Sequence, residues 1–137
     1  MIVVDTNVIA YLLMPGVHSR AARNAYQKEP EWAAPLLWRS EFRNVLLTTT
    51  RQRGLLRSVA LGMMEAARTL MAGREFEIDS SAVLELGSRS ICSAYDCEFV
   101  ALAQELHVKL LTEDRQILRA FPETTVRLRT FVHKPAV

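Results

Sequence analysis

Carboxylates at the ends of short apolar runs are the residues of this chain best suited to chemistry. It holds only four aspartates, and three of them, Asp5, Asp96 and Asp114, fall at strand-to-helix turns or in first helical turns. Glu41 stands one turn into a further helical stretch. Singly, each acid has a structural use: a carboxylate there caps orphan N–H groups and answers the helix dipole, contributing about 0.3–1 kcal/mol. Gathered in one crevice, four such groups would repel one another, and helix dipoles would offset only part of that repulsion. A cation would relieve the rest. Oxygen ligands with no convincing histidine or thiolate partner favour Mg2+ or Mn2+ over zinc. One or two such ions can bind a phosphodiester, orient a water, lower its pKa and stabilise the leaving oxygen. The expected chemistry is metal-assisted phosphodiester hydrolysis, with Asp5, Asp96 and Asp114 on the metal and Glu41 on the metal or on the attacking water.

Whether the acids meet depends on the elements that carry them. Ile2 to Val4 is a β-branched run ending in Asp5, and Asn7 to Met14 reads as a helix stopped by Pro15-Gly16. His18 to Gln27 is helical in pattern, and Trp32 to Ala34 forms a second strand before Pro35, a residue suited to a helix start. The apolar positions Leu37, Phe42, Val45 and Leu46 give a helical face from Leu36 to about Thr49. Arg51 to Gly54 breaks it, and a second long helix covers Leu55 to Met71. Glu75 to Ile78 alternates as a strand, and Asp79-Ser80 caps a helix running to about Arg89. Ser93 with Asp96 forms a capping box for the helix bearing Cys97, Val100, Ala101 and Gln104. Lys109 to Leu111 is a brief strand, a short helix ends near Phe121-Pro122, and Thr125 to Leu128 is expected as a last strand.

Alternating strands and helices imply an α/β fold with a mainly parallel sheet covered on both faces. In such a sheet the turns after the strands share one edge, where ligands of open α/β folds bind. Asp5 and Asp114 follow strands, Asp96 opens a helix that can pack beside them, and Glu41 reaches the same edge if its strand is also parallel.

Composition narrows the classes. The chain has 137 residues, is 50% hydrophobic and 23% charged, and carries a formal charge of +2. That is ordinary globular usage and enough chain for one core, which excludes disorder and collagen. The basic side is fourteen Arg against three Lys, a bias toward planar contacts with phosphate or carboxylate. Cys92 and Cys97 read as reduced core residues, neither a disulfide framework nor a thiolate metal site. The N-terminus lacks a signal peptide's basic start and cleavage site, and no apolar run reaches the about 20 residues of a membrane span. A cytoplasmic protein without a membrane partner is expected.

Four segments in order carry a family resemblance: Val3-Val4-Asp5-Thr6-Asn7-Val8-Ile9, Trp38-Arg39-Ser40-Glu41, Ser93-Ala94-Tyr95-Asp96 running into Val100-Ala101-Leu102-Ala103, and Leu111-Thr112-Glu113-Asp114. The chain resembles PIN-domain ribonucleases over nearly its whole length, and is most similar to the VapC-type toxins of toxin–antitoxin modules. The resemblance implies a three-layer α/β/α sandwich and an acidic pocket for Mg2+ or Mn2+. The family's first three acids fall on Asp5, Glu41 and Asp96 and its fourth on Asp114. Its hydroxyl-x-Asp element matches Thr112 and Asp114, which makes Thr112, and likewise Asn7, supporting groups. Glu98 and Glu113 are extra acids that could substitute in metal binding; the hydroxyl-x-Asp spacing selects Asp114. The resemblance further implies a structured RNA substrate (tRNA, rRNA or mRNA), a cognate VapB-like antitoxin and a homodimer.

Arg39 and Arg43 flank Glu41, and either could hold RNA phosphate; the plainer reading is a solvated or ion-paired arginine. Arg51, Arg53 and Arg57 cluster at the turn between the long helices and could touch RNA or an antitoxin, although exposure alone is the usual explanation. Met63, Met64 and Met71 enrich the second long helix for a core face, with the remainder suited to a dimer surface or an antitoxin groove. His18, His107 and His133 read as surface or packing residues, Trp32 and Trp38 as core, and Tyr95, beside Asp96, as packing over a helix start, with stacking on a base as the alternative. Three alternatives compete with a toxin nuclease: a PIN nuclease of RNA processing or decay, an idle α/β interaction module whose acids only cap helices, and another phosphate enzyme. An aspartyl-nucleophile phosphatase would want an acid where Asn7 stands, and no P-loop occurs.

Overall fold

The computed structural model describes residues 1–133. Its first strand, β1 (Ile2–Val4), is buried throughout, as a strand covered on both faces must be. It pairs in parallel with β2 (Trp32–Pro35) on one side and β4 (Leu110–Leu111) on the other. The strand β3 (Glu75–Phe76) extends the sheet beyond β2, and β5 (Thr125–Val126) extends it beyond β4, both in parallel. The order is β3-β2-β1-β4-β5. The chain therefore leaves β1 in one direction and β4 in the other, and such a reversal opens a crevice at the carboxyl ends of those two strands.

Helices α1 (Thr6–Leu13) and α2 (Ser19–Lys28) join β1 to β2, and α3 (Trp38–Arg53) and α4 (Arg57–Met71) join β2 to β3. The return to β4 runs through α5 (Ser80–Ser88) and α6 (Ala94–Leu106); α7 (Arg115–Ala120) precedes β5 and α8 (Leu128–His133) follows it. Helix α6 lies across β1, β2 and β4 with α5 against it, while α4 lies on β2 beside α1 and α3. The result is a three-layer α/β/α sandwich around an all-parallel sheet. Trp32, Trp38, Phe42 and Phe99 are fully buried at its centre, each contributing about 1.5–3 kcal/mol relative to exposure. Cys92 and Cys97 are free and buried in the same core.

Several boundaries depart from the sequence reading. Pro35 starts no helix: it is the last residue of β2, opposite Phe76, and α3 begins only at Trp38. Arg51 to Gly54 does not break α3, which runs on to Arg53 and is closed by Gly54 at φ +68, whose N–H reaches the Thr50 carbonyl. That left-handed turn is open to glycine at little cost. The strand expected over Thr125 to Leu128 stops at Val126, and Leu128 opens a helix instead. No capping residue precedes that helix in sequence. Its first N–H is taken by Glu113, whose Oε2 accepts from Leu128 N at 2.8 Å while Oε1 accepts from Arg127 at 3.3 Å. His133 thus sits in the last turn of a helix packed on α2.

Candidate active site

At the carboxyl edge of the sheet lies a cavity of about 420 Å³ whose lining includes Asp5, Glu41, Asp96 and Asp114. Four separate segments deliver them. Asp5 follows β1 and its N–H reaches the Leu111 carbonyl at 3.0 Å, so it is pinned between β1 and β4. Asp114 follows β4 across the same crevice. Glu41 comes from the first turn of α3, whose preceding strand is indeed parallel to β1. Asp96 is in the first turn of α6, whose cap is Ser93: its Oγ accepts from Asp96 N at 3.0 Å.

Helix capping explains only part of this set. Asp114 does cap, its Oδ1 accepting from Ile117 N at 3.0 Å. Asp5 occupies the cap position of α1 but makes no side-chain cap bond; its Oδ2 instead accepts from Thr112 Oγ1 at 2.8 Å. Thr112 is fully buried, and the same hydroxyl oxygen accepts from Asp114 N at 3.0 Å. One threonine thus ties two of the acids together. Glu41 Oε1 accepts from Thr6 Oγ1 at 2.7 Å, a buried hydroxyl next in sequence to Asp5. Thr6 was missed by the sequence reading, although a hydroxyl adjacent to a strand-ending acid was its available signal. Ser40, Asn44 and Tyr95 also line the cavity, and Tyr95, expected to pack over the start of α6, is instead 61% exposed there.

The electrostatics are those of an anion cluster short of positive charge. Burial raises the Asp5 carboxyl to about 6, Thr112 works against that rise, and Glu41, Asp114 and Asp96 add to it. Glu41 is raised by burial and by Asp96, with Thr6 opposing. Asp96 is raised by burial and then by Asp114, with Ser93 opposing. Such a set invites either protons or a cation. Among the described residues no group of three or more acid, histidine or cysteine side chains is already placed to hold a metal ion, although the four carboxylates line one cavity. As a donor set they fit a hard divalent ion: oxygen-only ligands on rigid elements, with Asp5, Glu41 and Asp96 raised first by burial and then by neighbouring acids whose charge a cation would offset.

The other candidates are placed elsewhere. Asn7 is exposed at the cavity rim. Arg39 is held by Glu75 through two contacts of 2.6 Å, and Trp38 Nε1 donates to the same carboxylate at 2.8 Å. Arg43 lines a separate apolar groove between α3 and α4 with Leu47, Leu61 and Met64. Glu98 is close enough to Glu41 to be raised by it after burial, whereas Glu113 is engaged in holding α8. Both tryptophans lie in the core.

Comparison with known proteins agrees with this fold. A family model described as PIN domain matches residues 2–122. Ribonuclease VapC3 of Pyrobaculum aerophilum is 34% identical over 126 residues, covering 88% of this chain and 95% of that protein. The crystal structure of PAE2754 from the same organism superposes with a TM-score of 0.74 at 19% identity, covering 95% of this chain and 92% of that one. A toxin–antitoxin complex from Klebsiella pneumoniae matches with a TM-score of 0.71 at 17% identity, covering 93% and 98%. With the family model spanning most of its length and four acids around the crevice between β1 and β4, this chain belongs to the PIN domain family.

Proposed function

We propose that the protein is a divalent-metal-dependent endoribonuclease of the VapC type, acting as the toxin of a toxin–antitoxin module. The observation that carries the reading is the cavity shared by Asp5, Glu41, Asp96 and Asp114, in which Asp5 is raised to about 6. Asp5, Asp96 and Asp114, with Glu41 beside them, would hold Mg2+ or Mn2+. Such an ion, when bound, neutralises a phosphodiester and makes water a nucleophile near neutral pH. The remaining work falls to the chain itself. Thr112 holds one oxygen of Asp5 and Thr6 holds one oxygen of Glu41, which would leave the second Glu41 oxygen for the metal or for the attacking water. No histidine is required as general base.

The RNA substrate and the antitoxin come into the proposal from the relative named ribonuclease and the neighbour solved as a toxin–antitoxin complex. The exposed apolar groove between α3 and α4, lined by Leu47 and Leu61 with Arg43 and Arg57, suits a protein partner, either an antitoxin helix or a second copy in a homodimer. Among the described residues no helix is long and apolar enough to cross a membrane. The test is purified protein with total RNA in Mn2+ and in EDTA, beside an Asp5→Asn control. Discrete new RNA ends in Mn2+ alone, absent with the variant, are expected; cleavage that persists in EDTA or in Asp5→Asn protein would overturn the reading.

A further inference from the structure

A second cavity of about 470 Å³ adjoins the acidic one, and Asn7 and Val45 line both. Its walls differ in chemistry. Where the first cavity is anionic, this one is framed by Tyr11 and His18, whose ring centroids lie 4.5 Å apart at a tilt of 36°. Met14 and Val17 add aliphatic surface, and Val17 is 94% exposed. Arg53, at the carboxyl end of α3, contributes the cation. An aromatic pair, apolar lining side chains and one guanidinium next to a site for a phosphodiester match one ligand class well. A nucleobase needs a flat apolar partner for its face, and the phosphate that follows it needs a donor.

Resting on the nuclease reading above, we propose that the Tyr11–His18 cavity is a subsite for an unpaired nucleobase within a nucleotide or two of the scissile phosphate, with Arg53 contacting the RNA backbone. A base paired within a duplex has both faces stacked and cannot enter a side cavity, so only an unstacked nucleotide satisfies the site. The fold reinforces the placement. Asp5 stands at the residue before α1 and Tyr11 lies further along that helix, so the acid and the ring are carried by one rigid element. His18 is the residue before α2, placed by the short Met14–Val17 connection from α1.

The test is steady-state cleavage, in Mn2+, of a single-stranded oligoribonucleotide carrying the mapped cut site, with an abasic residue placed in turn at each flanking position. For wild type, one abasic position beside the cut should raise KM about 10-fold with kcat nearly unchanged, the size expected for one lost base–aromatic stack. Tyr11→Leu should raise KM similarly on the intact substrate and become indifferent to that abasic position, while Tyr11→Phe should keep KM within about two-fold. Arg53→Ala, a change at an exposed position, should raise KM and reduce the salt slope by about one phosphate contact. If Tyr11→Leu does not fold, His18→Ala is expected to show the same loss of abasic sensitivity and takes its place. Wild type that cleaves but tolerates every abasic position, or variants that retain abasic sensitivity, would overturn the subsite and leave the nuclease standing. Failure of wild type to cleave RNA with either metal would overturn both.

Discussion

Asp5 joins the chemistry of the site to the stability of the fold. Its carboxyl holds a proton up to about 6 in the folded chain against 3.8 when unperturbed. The folded state therefore binds that proton more tightly than the unfolded state. The stabilisation is complete below about 3.8 and is lost as the pH rises through about 6. Without metal, ionising Asp5 among Glu41, Asp96 and Asp114 should weaken the fold on the order of 2–3 kcal/mol. Asp5→Asn removes the titration while keeping an oxygen for Thr112. Melting curves in EDTA are expected to show a stability gap between variant and wild type that widens from pH 4 to pH 7; a gap independent of pH would contradict the assignment. The same variant should lose cleavage by at least roughly 100-fold, as expected for removing an electrostatic group from a reaction centre. Thr112 acts through Asp5 and Asp114. Thr112→Val should weaken metal affinity or activity about 10-fold or more, the usual cost of losing a hydrogen bond that orients a ligand. Calorimetric titration with Mn2+ separates that loss from simple unfolding.

At the scale of elements, α8 depends on a residue fifteen positions before it. Leu128 N would be an orphan donor without Glu113, and the carboxylate is mostly buried beside it, 13% exposed. Glu113→Ala should cost about 1–2 kcal/mol and raise hydrogen exchange over residues 127–133 selectively. Because Glu113 is engaged there rather than in the acidic cavity, cleavage measured well below the melting temperature should stay near wild type. A loss of metal binding in that variant would instead place Glu113 among the ligands. Gly54 makes a second element-level case, since its φ of +68 closes α3. Gly54→Ala should destabilise by about 1 kcal/mol, read in the denaturation midpoint.

For the molecule as a whole, a cation bound among the four acids should act as a staple between β1, β4, α3 and α6. A ligand at 100 times its Kd stabilises the folded state by about 2.7 kcal/mol, which for a chain of this size moves Tm by roughly 10 °C. Mn2+ should therefore raise Tm at pH 7.5 in wild type and do little in Asp5→Asn. No shift in either would favour an idle fold in which the acids serve only as caps, and the Thr112–Asp5 bond already argues against that use for Asp5.

Local pattern alone carried much of this protein. A β-branched run, a capping box or an apolar stripe reports on neighbours a few residues away, so β1, α6 and the turns bearing Asp5 and Asp114 were readable from spacing. The alternation of strand and helix was enough to imply a parallel sheet and a shared edge for the acids. What spacing does not encode is which distant groups meet once the strands are ordered. Thr112 reaches Asp5 across 107 positions and Thr6 reaches Glu41 across 35. Arg39 is taken by Glu75 across 36, and α8 is capped from outside its own sequence. Pro35 reads as a helix start until a neighbouring strand makes it the end of β2. Thr112 meets Asp5 because the order β3-β2-β1-β4-β5 sets β4 beside β1, and Arg39 and Pro35 find their partners because it sets β3 beside β2; strand order is a property of the packed core, not of any short stretch within it.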